Sequence, residues 1–258
     1  MTEWFYHLPV VWMSVVVFLA TAVVTAAIYG AVVPLATGDR GRAFKAVSPV
    51  MLTPLAVVFG LIVGFLAAQV WADSDRAHAA VTREATALRS VVIFAGSFSD
   101  ATADRMRSLV RRYIQEAVSQ EWPAMADQRS SLAMITAAED EALQLALSVR
   151  PQNEAQIVAQ REIVASLRSA LEARQQRIII SRSTINWVKW AVVGVLAALV
   201  PLTIAIIHSD NRATAAITMA IFAIAVTACI VLIAAHNRPF TGEISVGPEL
   251  LRQVMPKE

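Results

Sequence analysis

Val58, Ile62, Phe65 and Gln69 recur at spacings of four, three and four within an apolar stretch. A helix would carry them on one face. Three apolar side chains followed by an amide suit a constriction that conducts ions when wet and closes by drying. Gly60 and Gly64 lie on a different face, and their G-x-x-x-G spacing lets a second helix pack closely. The chemistry this points to is passage of an ion, not the making or breaking of bonds.

The other conspicuous stretch is HNRPFTGEISVGPELL, residues 236–251. It follows directly on the apolar run IFAIAVTACIVLIAA and carries Arg238, Pro239, Phe240, Gly242, Gly247 and Pro248 in close succession. Pro239 forbids continuation of the preceding helix. Arg238 complements its carbonyl end and can reach lipid phosphate, and Phe240 can anchor at the interface. Gly242 permits a turn, residues 243–246 read as extended, and Gly247-Pro248 opens a short helix with Leu250, Leu251 and Val254 on one side. Such a strap is expected to lock the tail onto other helices, of its own chain or of a neighbouring subunit.

The elements that must position these residues are set by composition. Of 258 residues 57% are hydrophobic and only 16% charged, and the apolar ones are clustered. Four runs reach the roughly 20 residues needed to cross a hydrocarbon core: residues 8–36, 49–71, 187–208 and 213–235. The first is too long for a signal peptide and is preceded by Glu3 instead of a basic cluster. Trp4, Phe5, Tyr6 and Trp12 begin it, and Trp187 and Trp190 begin the third, as interfacial rings would.

The fold class expected is therefore all-α and integral to the membrane, with four transmembrane helices. Residues 8–71 and 187–235 form two transmembrane hairpins, 72–186 a helical region between the second and third spans, and 236–258 the strap. More basic residues flank the side holding both termini and the central region than the side holding Arg40, Arg42, Lys45 and Arg212. That bias puts both termini in the cytoplasm.

The central region has no lysine, and its 14 arginines are balanced by 14 acidic residues. Nucleic acid, which demands a basic footprint, is excluded as a partner. Gly and Pro are nearly absent, so helices are expected. The first continues the second span to Gly96. The second starts at Ser99 or Asp100, carries the stripe Met106, Leu109, Val110, Tyr113, Ile114, Ala117 and Val118, and ends at Pro123. Its Arg105, Arg107, Arg111 and Arg112 form either an ion-paired face or an anion-attracting vestibule. A third helix runs from Ser130 or Ser131 to Leu147. A fourth, from Gln152, runs on into the third span, with Ile157, Val164, Leu171 and Ile178 seven apart and Arg174 breaking the matching seam.

No charge lies deep in any span; Lys189 is near an end and can snorkel. That counts against a proton-coupled or voltage-driven machine. No cluster of His, Asp or Ser supports an enzyme. The lone Cys229 forms no internal disulfide, and no metal-ligand spacing is present, so neither a metal nor a cofactor is expected.

Arg238, Pro239, Phe240 and Gly242 after the fourth span, Glu121-Trp122-Pro123 with Met125, and Arg83-Glu84-Ala85 together resemble the bestrophin-like family of prokaryotic four-span membrane proteins. The spacing of spans and central helices fits over nearly the whole chain. The family has no assigned activity; its name marks a looser similarity to bestrophins, which are pentameric calcium-activated anion channels. The resemblance implies a homo-oligomer in the bacterial inner membrane, a pentamer by analogy, passing small inorganic ions through a pore lined by the second span. The sequence departs from bestrophins in lacking the acidic cluster that binds calcium, since only Glu243 and Glu249 follow Phe240, and Asn237 stands where the bestrophin-like pattern tends to be acidic. The competing expectation is a non-conducting membrane scaffold or signalling protein whose cytoplasmic helices bind a partner.

Overall fold

The computed structural model describes residues 3–36, 44, 49–132, 137–209 and 211–256. Arg40, Arg42 and Lys45, used above for orientation, lie outside the described residues, as does Lys257. The elements are all helical among the described residues: α1 Glu3–Tyr6, α2 Val10–Leu35, α3 Leu52–Ala95, α4 Asp100–Glu116, α5 Trp122–Ala126, α6 Ala137–Ser148, α7 Glu154–Ser181, α8 Trp187–Ile207, α9 Arg212–His236 and α10 Glu249–Gln253. Helices α2, α3, α8 and α9 are long and apolar enough to cross a membrane.

The chain divides into two compact units, Met1–Trp71 with Thr184–Asn237, and Ala72–Ser183 with Arg238–Glu258. In the first unit α9 packs on α2 and α8, around Val193, Val200, Ile204, Met219, Val226 and Ile233, with Phe59, Leu66 and Val70 of α3 in the same cluster. Thr21 and Thr227 share a 2.7 Å hydroxyl hydrogen bond between α2 and α9, and the hydroxyl that accepts it is free to donate to a carbonyl of its own helix. Such polar contacts hold helices together where water supplies no driving force.

The second unit buries the inner stripes of α3, α4, α6 and α7: Val81, Leu88 and Val91, then Met106, Leu109 and Ile114, then Ala138 and Ala142, then Ile163 and Leu167. The alanines let α6 lie close to α4 and α7. The arginines of α4 are ion-paired or bound to the tail: Arg105 and Arg112 to Glu141 at 3.1 and 2.6 Å, Arg107 to Asp104 at 2.7 Å, and Arg111 to the Pro256 carbonyl at 3.0 Å.

Three boundaries differ from the sequence expectation. Pro123 does not end a helix. A π-helical segment, Ala117–Glu121, follows α4 and leads straight into α5, where Pro123 sits in the first turn and needs no N–H partner. Ser130, Ser131 and Leu132 are non-helical, and α6 is described from Ala137. Finally, α7 does not run into the third span. It stops at Ser181, and α8 begins afresh with Asn186 as its cap, the side chain accepting the Lys189 N–H at 3.0 Å.

The break is held by Asn237. Its Oδ1 accepts the Ile185 N–H at 2.8 Å and its Nδ2 donates to the Tyr6 hydroxyl at 3.0 Å, all buried. Asn237→Leu strands the Ile185 N–H and should lower stability by about 2 kcal/mol, read as a fall in melting temperature in detergent. Tyr6→Phe, which leaves that N–H paired, should cost less. Equal losses would contradict this role for Asn237.

Candidate functional site

Arg174 and Arg177 are three apart on α7 and so share a face. That face is the buried one. Arg177 is fully enclosed and Arg174 only 3% exposed. Glu84 of α3 is also fully enclosed, and Glu121, at the end of the π segment, is buried. The extra residue of a π turn advances the following side chains around the helix, and here Ala117, Glu121, Trp122 and Met125 are all buried.

The guanidinium of Arg177 is satisfied in every direction. Its Nε donates to Glu84 Oε2 at 2.7 Å, and its Nη2 to Glu84 Oε1 and Glu121 Oε2, both at 2.9 Å. Its Nη1 meets the Met125 sulfur at 3.4 Å, and the Trp122 ring lies 4.4 Å from its central carbon. Arg174 donates to the other Glu121 oxygen from Nε at 2.7 Å and from Nη2. Tyr113 donates its hydroxyl to Glu84 Oε1 at 2.6 Å.

Burial opposes the charge on Arg177, but Glu84 and then Glu121 outweigh it and hold the group more firmly protonated than a free arginine. Burial, reinforced by the charge of Glu84, raises Tyr113, so its hydroxyl stays a donor. Glu139 of α6 completes the cluster. Burial is the main cause that lifts its carboxyl from 4.5 to about 7; Arg174 opposes this, while Glu121, Glu84 and Asp140 add to it.

The strap docks on this cluster through Trp122. Trp122 donates its indole N–H to the Val246 carbonyl at 3.1 Å and meets Phe240 edge-on at 6.0 Å between centroids. Thr241 donates to the Ala126 carbonyl at 2.7 Å, and Val246 N–H closes a loop onto Pro239 O at 2.7 Å. Gly242 has φ 89°, the left-handed conformation that glycine adopts without steric cost. Residues 243–244 form a turn in place of the extended run expected, before α10 buries Leu251. Phe240 is 4% exposed and packs on Trp122, so it does not anchor at an interface. Arg238 is buried too, which rules out a side chain reaching freely to lipid phosphate.

The four residues read as a pore face lie in the first unit. Ile62, Phe65 and Gln69 border one groove of about 270 Å³ with Leu66, Val188, Lys189 and Val192; Val58 does not line it. Phe65 is 71% and Val58 47% exposed. Lys189 Nζ donates to Gln69 Oε1 at 2.6 Å. A Cβ built on Gly60 or Gly64 would meet no atom of the chain within 4 Å. Neither glycine packs against a helix of its own chain among the described residues. Nor do three or more His, Cys, Asp or Glu side chains gather there as a metal site would require.

The chain matches the model of the bestrophin-like domain over residues 16–251. It belongs to the bestrophin-like family. Searches of curated proteins and of solved structures return no match. The matched span of this bestrophin-like chain takes in both the open face of α3 and the charge cluster under the strap.

Sequence reasoning had Glu84 and Glu121 only as family landmarks, Arg174 as a flaw in a seam, and Arg177 only among the basic residues. A signal was available: two arginines three apart lie on the α7 face that also carries Ala170, Ala173, Ile178 and Ser181, all buried. Removing one partner of a buried pair leaves the other charge stranded, at about 3–5 kcal/mol. Arg177→Met and Glu84→Gln should each destabilise the protein on that scale, while the paired replacement Arg177→Met with Glu84→Leu should recover part of the loss. Thermal unfolding in detergent measures all three; no recovery in the pair would contradict the assignment.

Proposed function

We propose that this bestrophin-like protein is a homo-oligomeric ion channel of the bacterial inner membrane, with its termini and helical unit in the cytoplasm. Ions pass down their gradient through a pore lined by α3 of each copy. The observation that carries this reading is the face of α3 bearing Ile62, Phe65 and Gln69, which the chain itself leaves open to a groove. Family membership supports it, since the looser relatives of the family are channels. The bare surfaces of Gly60 and Gly64 are consistent with close approach by a neighbouring copy.

A ring of apolar side chains can gate by drying. Ile62 and Phe65 supply such a ring under oligomeric symmetry, and Val58 extends it by one turn. The Lys189 ammonium, held beside Gln69, favours anions over cations at that end of the pore. Nothing in the strap supplies the converging carboxylates of a calcium trigger.

Purified protein in liposomes, with chloride and potassium gradients applied separately, tests the reading. Selective flux that vanishes when protein is omitted supports a channel. Silence across pH, calcium and membrane tension supports the competing scaffold, whose helical unit would bind a partner protein. If the pore is lined as stated, Ile62→Ala and Phe65→Ala widen the constriction and raise conductance several-fold at equal expression. Unchanged currents from both variants would remove α3 as the lining.

A further inference from the structure

Two arginines and two glutamates already balance: Arg174 and Arg177 against Glu84 and Glu121. Glu139 is a fifth charge for which the cluster has no counterpart. Its side chain is 7% exposed, and its Oε2 stands 3.9 Å from Arg174 Nη1, too far for a hydrogen bond. Its Oε1 is buried and takes no hydrogen bond from any described residue. It borders a small cavity of about 10 Å³ walled by Leu88, Leu109, Val110, Tyr113 and Leu167. An ionised carboxylate there lacks a hydrogen-bond donor at Oε1 and is only weakly neutralised by Arg174 at 3.9 Å, so a carboxylic acid fits better.

The groups facing it define what ionisation would do. Arg174 and Arg177 come from α7, Glu121 from the π segment, Glu84 from α3 and Tyr113 from α4. On its own helix Asp140 adds negative charge, and Glu141 is engaged by Arg105 and Arg112. A charged Glu139 therefore competes with Glu121 for Arg174 and repels Glu121 directly. Glu121 immediately precedes Trp122, on which Phe240 and the Val246 carbonyl are seated.

We propose that Glu139 is a proton-binding site and that its proton governs how firmly the strap is held on the Trp122 seat. With the proton bound, Glu139 does not draw Arg174 away from Glu121 and the strap is latched. With the proton lost, Arg174 is divided, the Glu121–Trp122 corner loosens and the strap is released. The direction follows from linkage. The folded carboxyl keeps its proton to about pH 7, while an unfolded glutamate loses it near 4.5. The fold thus binds the extra proton between those values, and the stability Glu139 permits declines as pH rises through that interval. The site does not depend on whether the protein conducts.

Hydrogen exchange of the full-length protein in lipid nanodiscs tests this, with each rate divided by its intrinsic rate at the same pH. Protection of the strap, with the Val246 N–H as reporter, should fall about tenfold between pH 6 and pH 8 in the wild type. Glu139→Gln, neutral at every pH, should keep the protected value throughout. Infrared spectra should show a protonated-carboxyl band that disappears over the same interval in the wild type and is missing from Glu139→Gln. Flat protection in the wild type overturns the proposal. So does a parallel fall in the variant, or titration of the carboxyl without any change in the strap.

Discussion

The helical unit depends on a single fully enclosed guanidinium. Arg177 can lie where water does not reach only because Glu84 and Glu121 surround it with oxygen, Met125 and Trp122 cover the remaining sides, and Tyr113 turns a donor to Glu84. These partners come from four parts of the chain, α3, the π segment, α5 and α4, so the charge ties together segments that apolar packing alone would leave free to slide. Buried ion pairs contribute little net stability, and much is lost when one partner goes. Their effect here is to fix where Trp122 stands.

Trp122 passes that position on to the tail. The ring meets the arginine over its face, packs T-shaped with Phe240, and gives its N–H to the Val246 carbonyl. Pro239 ends the helical path after α9, and Gly242, at positive φ, turns the strap so that Val246 can bond back to Pro239. The strap is thus docked within its own chain.

The spans and helices were legible because hydrophobic length and period are strong local signals, as in α3, which runs unbroken from Leu52 to Ala95. The α7–α8 break was legible in principle. Ser183, Thr184 and Asn186 precede an apolar run, as a helix start should, yet the heptad spacing of Ile157 to Ile178 argued for continuity. The partners of Arg174 and Arg177 were not legible, because a lone sequence does not say which polar residues meet across 93 positions, as Glu84 and Arg177 do. Phe240 misled for a related reason: an aromatic beside a membrane run reads as an interfacial anchor until its partner Trp122 is known. The zero net charge of the central region was the one global trace of the pairing within it.

The most direct test is a double-mutant cycle between Arg177→Met and Phe240→Ala, which share Trp122 as a partner. Thermal unfolding of wild type, both single variants and the double variant in one detergent supplies the four stabilities. If the enclosed arginine fixes the seat of the strap, the two losses should be non-additive by about 1 kcal/mol or more, since a displaced Trp122 no longer rewards Phe240. Additive losses would mean that the strap is held independently of the charge cluster, and would contradict the account.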